Sequence, residues 1–509
     1  MKNLQPEQAL DRVRRSVKPQ WKTAFVSTLV IGLLAHLYKF TNHLPNWDSL
    51  MVYYYPTHNM IHQGRHLQGV LAALRQYVDA PWIVGLLCLV YIGMAAVLLV
   101  DLFGLKNRTG IVLLSGLIVT SPVVTSGYAF MYMADAFAGA YLLAVLAVWF
   151  TARYRFGFVA GAVCLTFSMG SYQAYLPVAM AIVLLWIMTE LLGDGYDADK
   201  GRFWTQTGCF VGMGILAAVF YKVSLQLLVS IQGVSISDHQ GMGSMHVPDF
   251  SELAHAIKDS YVSTAYFFIG PLSSISLYGI LNAICLLCLL VLLLTIMMKK
   301  KIYCRIDKMI LLLLAAAVYP CVSHLFLFVT NEVEYHALMQ FSLVLIYLLL
   351  FWLYEKVEPE KTPVRWMICL GSVILIWDMA LAANNGYRAQ TLSYEKTYAM
   401  MERVVDRMEQ LPDYTSAQKL AVIGQVPNTD QSIYGESPAL AGITDGIFVT
   451  HQAHIVAMLS EYYGIDLTGV GDEALEQLKQ FGQVQTMPCW PAAGSVQQLG
   501  DTIIVKFTD

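Results

Sequence analysis

Apolar residues run in long, nearly unbroken blocks along this chain, and polar residues gather in the gaps. About 20 apolar residues are what a helix needs to cross a hydrocarbon core of about 30 Å. Blocks of that kind lie at 23–40, 81–103, 109–126, 131–151, 156–172, 174–192, 206–232, 274–298, 309–330, 335–354 and 364–382. They predict about eleven transmembrane helices. The pair 156–172 and 174–192 reads either as two short spans around Ser171-Tyr172-Gln173-Ala174 or as one re-entrant hairpin. Segments His62 to Tyr77 and Pro248 to Phe268 have helical apolar spacing with aromatics, which predicts helices lying in the interface. After Asn384 the pattern changes. Ser393 to Leu411, His451 to Tyr463 and Asp472 to Phe481 read as helices, and Lys419 to Val426 and Asp501 to Phe507 as strands. That is a small α/β domain.

Composition agrees. Of 509 residues, 57% are hydrophobic and only 13% charged, about half the charged share of a soluble domain. The net charge of −4 matters less than its distribution. Lys and Arg cluster at Arg12/Arg14/Arg15, Lys106/Arg108, Arg153/Arg155, Lys200/Arg202, Lys299 to Lys308 and Lys356/Lys361/Arg365, always in gaps on one side. The positive-inside rule makes that side cytoplasmic. Residues 1–22 then form a cytoplasmic amphipathic N-terminus. Residues 23–384 form the transmembrane domain, with long outer loops at 41–80 and 233–273. Residues 385–509 form the extracytoplasmic α/β domain. No basic stripe or recognition motif points to nucleic acid. Of nine cysteines, only Cys489 lies in the exported domain, so no disulfide pair is available there.

Candidate chemistry collects in the outer loops. Asp48 follows the first span closely and suits a general base acting on a hydroxyl. Arg65 is one of few outer cations, and guanidinium suits phosphate. Asp135, at the outer start of a span, reads either as a helix cap or as a second acid. Tyr172 and Gln173 occupy the next outer turn and suit sugar hydroxyls. Lys222, counted back from the helix end near Gly233, falls near mid-membrane, where a lysine needs a polar cavity or a partner. Asn331, Glu332, Glu334 and His336 crowd a further outer turn and could orient an acceptor. His43, His58, His62 and His66 match no metal-ligand spacing, so no metal is expected. One base and a few cations suit transfer from a lipid-phosphate-linked donor. A phosphate leaving group needs charge stabilisation and no general acid, so a single carboxylate suffices.

Several motifs together resemble a known family. They are Asp48 with Gly64-Arg65 downstream, the Ser171-Tyr172-Gln173-Ala174 turn, the Asn384-Asn385-Gly386-Tyr387 exit from the last span, and Met487-Pro488-Cys489-Trp490-Pro491 before Gly494-Ser495-Val496. These resemble the bacterial type II O-antigen glucosyltransferases, called Gtr, of the GT-C membrane glycosyltransferases. The family often has adjacent acids in the first loop; Asn46-Trp47-Asp48 offers one, which raises interest in Asp135. The resemblance implies a mainly α polytopic protein of GT-C type in the bacterial cytoplasmic membrane. It implies an inverting, metal-independent transfer of a sugar, glucose first, from a polyprenyl-phosphate donor to an envelope glycan on the outer face. A lipid-phosphate sugar synthase and a flippase would supply the donor. The rival readings are a lipid-linked sugar transporter, which predicts inverted repeats, and an envelope-glycan polymerase or ligase.

Overall fold

The computed structural model describes residues 7, 11, 15–51, 60–76, 80–237, 245–271, 276–330, 332–356, 362–426 and 440–509. The expected N-terminal amphipathic helix, His58 and Asn331 lie outside or largely outside those residues. The chain is mainly α. Among the described residues, nine helices are long and apolar enough to cross a bilayer.

Helix α1 (Pro19–Thr41) and α2 (Pro81–Phe103) both begin on a proline, where the missing N–H costs nothing. Gly104 ends α2 in the left-handed region (φ 65°). Asn107 caps α3 (Arg108–Val119) by accepting from the Gly110 N–H. The block at 109–126 is kinked. Pro122 bars its predecessor from helical geometry, so Ser121 is extended (ψ 151°) and a new helix, α4 (Pro122–Ala129), starts there. Helices α5 (Met131–Arg153), α6 (Gly157–Ser171), α7 (Leu176–Leu192) and α8 (Lys200–Gln232) follow. Beyond them come α9 (Phe250–Ile269), α10 (Leu277–Lys299) and α11 (Ile306–Ser323).

Two of the eleven expected spans fall short. Helix α6 has 15 residues, about 22 Å at 1.5 Å per residue. The block at 335–354 divides into a turn at Ala337–Met339, one helical turn at Phe341–Val344, and α12 (Ile346–Lys356). The Tyr319 hydroxyl donates to the Ser342 carbonyl (2.6 Å), which draws that carbonyl away from the helical ladder. The block at 309–330 likewise ends early, at Ser323. Pro320 lies inside its last turn, and among the described residues of 324–340 only the single turns Leu325–Phe328 and Ala337–Met339 are helical.

Helix α6 still runs from one end of the bundle to the other. It begins next to Thr151 and ends where Gly170 accepts from the Leu67 N–H. Helix α7 follows it after the turn at Gln173–Tyr175. The basic clusters collect at one end. There Asp101 holds Lys18 (2.8 Å) and Arg153 (2.7 Å), Glu355 accepts from the Lys106 N–H, and Asp197 and Asp307 pair with Lys308 and Lys200. The Asp48 turn, the 172–175 turn and Tyr335 lie at the opposite end.

Helix α13 (Thr362–Glu409) is 48 residues long and merges two expected helices. Asn384-Asn385-Gly386 does not end it because these residues are spent on packing. The Asn384 amide donates to the Ala35 carbonyl, and Gly386 lets Leu440 and Ile443 approach within 2.9 Å of where a Cβ would stand. The division at 384/385 thus falls inside one continuous helix. Beyond it, β1 (Lys419–Ile423), β2 (Thr468–Gly469), β3 (Val496–Leu499) and β4 (Thr502–Lys506) form a sheet in the order β2-β1-β4-β3. Strand β1 is parallel to both neighbours, and β3–β4 is an antiparallel hairpin. Helix α14 (Gln452–Tyr463) and the end of α13 cover one face through Leu420, Val422, Ile503 and Val505. Helix α15 (Asp472–Lys479) covers the other, over Ala421, Ile423 and Ile504.

Candidate active site

After α1 the chain enters a turn at Asn46–Ser49 that is closed from both sides. The Ser49 N–H donates to Asn46 Oδ1 (3.1 Å), the Asn46 N–H donates to Ser49 Oγ (3.0 Å), and Ser49 Oγ donates to the Asn46 carbonyl (2.7 Å). Asp48 rides on this turn, half-buried. Burial pushes its carboxyl above the usual carboxylate range, and the nearby Arg65 guanidinium pulls it part of the way back. A carboxylate raised in this way is a stronger base once ionised.

Gly64 supplies the left-handed residue (φ 72°) that turns the chain into Arg65 and interrupts the helix expected over 62–77; among the described residues only Gln68–Ala73 is α-helical, after a 3-10 turn at Ile61–Gln63. The Arg65 guanidinium lies over the Tyr172 ring, 4.9 Å from its centroid, and Nη1 approaches Met60 Sδ (3.7 Å). Its Nε is buried without a hydrogen-bond partner among the described residues. A buried donor left unpaired costs about 1–3 kcal/mol, which an anionic oxygen would recover. The loop carrying Arg65 is fixed on several sides. Gln173 Nε2 donates to the Gln63 carbonyl (2.8 Å), the Tyr221 hydroxyl donates to the Gly64 carbonyl (3.0 Å), and His66 Nε2 hydrogen-bonds Ser224 Oγ (2.8 Å). Tyr172 in turn packs on Phe137 (4.9 Å between centroids) and Tyr175 (5.6 Å). The structure therefore brings Asp48, Arg65, Tyr172 and Gln173 together. Gln173 serves the group by holding the loop.

The other expected residues are placed differently. Lys222 is exposed on the face of α8 that also exposes Ile215, Val219 and Val223, with no hydrogen-bond or ion-pair partner among the described residues. Helix α8 begins at Lys200 among the basic-end charges. Lys222 is 22 residues further on, about 33 Å along the axis. Asp135 is not a cap. Its Oδ2 pairs with Arg75 Nε at 2.8 Å, and the two side chains are 1% and 2% exposed. Breaking a buried pair leaves the other charge uncompensated, at about 3–5 kcal/mol. Asp135→Asn is therefore expected to lower the thermal midpoint of the purified protein, and Arg75→Met with Asp135→Leu to restore it with turnover retained. A stable double variant without turnover would make Asp135 a catalytic group. Glu332 and Glu334 are exposed, and the His336 ring contacts the Glu334 carbonyl (3.3 Å).

Sequence reasoning missed Tyr335, which lies within electrostatic reach of Tyr172; its hydroxyl accepts from the Phe326 N–H (2.9 Å). It also missed Lys39 and Leu50. Lys39 is wholly buried, donating to the Leu44 carbonyl (2.8 Å) and Gln390 Oε1 (2.9 Å). A lysine at the end of an apolar run reads as an ordinary boundary residue, so nothing in the pattern marked it.

The family described as glucosyl transferase GtrII matches residues 37–353. No curated protein and no solved structure matches the chain. The match spans well over half of the chain and takes in Asp48, Arg65 and Tyr172 with the helices that carry them, so the chain belongs to the GtrII glucosyltransferase family and is an inverting glycosyltransferase that draws on a polyprenyl-phosphate sugar donor.

Proposed function

We propose that the protein moves one sugar, glucose first, from the donor to a cell-envelope glycan at the outer face of the bacterial cytoplasmic membrane, with the Asp48–Arg65 cluster as its centre. The observation that carries this reading is a raised carboxyl beside a buried guanidinium with an unpaired Nε. The acceptor hydroxyl oxygen attacks the anomeric carbon, opposite the phosphate. The new C–O bond forms as the bond to phosphate oxygen breaks. The hydroxyl proton passes to Asp48, and the polyprenyl phosphate leaves with the bonding pair. Arg65 stabilises the charge growing on that phosphate. Tyr172 forms the floor beneath Arg65. Lys222, exposed on the lipid-facing side of α8, meets the phosphate as the lipid approaches. Glu332, Glu334 and His336 take the acceptor side. No metal has a role in these steps.

The short traversals support a lipid donor. Helix α6, about 22 Å long, leaves the turn at Tyr172 several ångströms below the surface of a core about 30 Å thick. A donor phosphate at the headgroup level is close to such a recess. With the basic clusters on the cytoplasmic side, the Asp48 end and the sheet domain of residues 385–509 face outward, and the N-terminus faces inward.

The test uses purified protein in nanodiscs with polyprenyl-phosphoglucose and the acceptor glycan. The expected product gains one hexose, with polyprenyl phosphate released, and a soluble nucleotide sugar gives none. Movement of the lipid-linked sugar across vesicles without acceptor, and no product, would favour a transporter. Addition of whole repeat units would favour a polymerase.

A further inference from the structure

The turn that carries Asp48 is gripped on both sides by the part of the chain beyond residue 384. On the near side, Lys39 Nζ ties the Leu44 carbonyl to Gln390 of α13, and Gln390 Nε2 reaches the Gly442 carbonyl (3.5 Å). On the far side, Leu50 is 1% exposed and belongs to the apolar core of the sheet domain, with Met400, Val404, Phe448, Ile455 and Leu459. Trp47 packs against the same core. On either side of Asp48, Leu50 is thus a core residue of a domain that begins more than 300 positions later in sequence, and Trp47 packs on that core. The family match stops at residue 353, before any of those partners.

The domain has its own attachment to the helical part. The Ala441 N–H donates to Ser126 Oγ (3.0 Å), and Gly442 (φ 76°) lies so close to the Phe130 ring that a Cβ would stand 2.4 Å from it. Ser393 Oγ and Lys396 Nζ donate to the carbonyls of Gly446 and Asp445. Docking of the domain therefore does not depend on Leu50. The Leu50 contact adds a fixed position for the Asp48 turn. A turn held at only one end would swing about Leu44 and move the carboxylate out of reach of a hydroxyl.

We propose that Leu50 and Trp47 are positioning residues, and that the sheet domain completes the active site by holding the Asp48 turn through them. The proposal rests on Asp48 being the base. An ångström of misplacement can cost about 100-fold in rate, so this role requires a packed core.

The test compares full-length Leu50→Ala, Leu50→Val and Leu50→Met with the native protein and with Asp48→Asn. Each is read as kcat per folded molecule, donor KM and the acid limb of the pH–rate profile. Leu50→Ala is expected to lose roughly 10- to 100-fold in kcat, with donor KM within about twofold. Its acid limb moves to lower pH, because a loosened Asp48 gains water. Leu50→Met, similar in volume, recovers most of the turnover. A merely structural Leu50 would lower the thermal midpoint and leave kcat per folded molecule and the limb unchanged, which would overturn the proposal. If Leu50→Ala yields no folded protein, Leu50→Val carries the same decision with a smaller shift. Native turnover by Asp48→Asn would overturn the base assignment itself. An inactive Asp48→Asn beside a fully active Leu50→Ala would overturn the positioning role alone.

Discussion

Asp48→Asn is expected to cut kcat by about 10²–10⁴-fold, the range that a positioned general base contributes. The substitution keeps the shape of the side chain and spares the turn. That turn is closed by Asn46 and Ser49 and does not use the Asp48 carboxyl. The variant should therefore fold, dock its sheet domain and bind donor with a KM close to that of the native protein. Only the acceptor loses its proton-accepting partner. The measurement is steady-state transfer to the glycan in nanodiscs, normalised to folded protein. A variant that bound donor normally and turned over at the native rate would remove Asp48 from the mechanism. A variant that failed to bind donor would make Asp48 a binding group.

Arg65→Met carries the second large effect. Removing a preorganised donor from a developing oxyanion costs about 10²–10³-fold in kcat, and methionine keeps the apolar stem over Tyr172. There is a second consequence with a definite sign. Burial raises the Asp48 carboxyl and Arg65 opposes that rise. Without the guanidinium the carboxyl rises further, so a higher pH is needed to ionise the base. The acid limb of the rate profile should move up in pH. Arg65→Lys should return part of the charge effect and less of the rate, because an ammonium lacks the planar fork that meets two phosphate oxygens at once. An Arg65→Met profile with an unmoved limb would separate Arg65 from Asp48.

The helices were legible because lipid imposes a blunt rule. Helix α2 occupies 81–103, as its apolar block predicts, and α5 and α8 follow theirs closely. The divided block at 335–354 and the early end of α11 have local causes. Hydropathy does not register a carbonyl diverted by Tyr319, nor Pro320 ending α11 one turn on. The fused α13 was illegible for the opposite reason. Asn384-Asn385-Gly386 looks like a stop signal, and only the packing of Leu440 and Ile443 against Gly386 shows it as a point of contact. In the sheet domain, β1 and β4 were found from their apolar runs. Strand β3, reading Val496-Gln497-Gln498-Leu499, lacks the alternation that marks a half-buried strand.

Of the site, Asp48 and the Tyr172 turn were legible as polar and aromatic residues near span ends, and Arg65 as one of few cations in the outer loops. Their convergence was not legible, since it depends on the Gly64 turn and on Gln173 and Tyr221 gripping the loop. Asp135 lost its reading as a cap once Arg75, far away in sequence, proved to be its partner.

The most direct test of Asp48 as the base under the field of Arg65 is the acid limb of the pH–rate profile, measured in the native protein, Arg65→Met and Asp48→Asn. The native limb should lie above the ordinary aspartate range, move higher in Arg65→Met, and be absent from the residual turnover of Asp48→Asn. A limb that persists in Asp48→Asn at the native position would contradict the account.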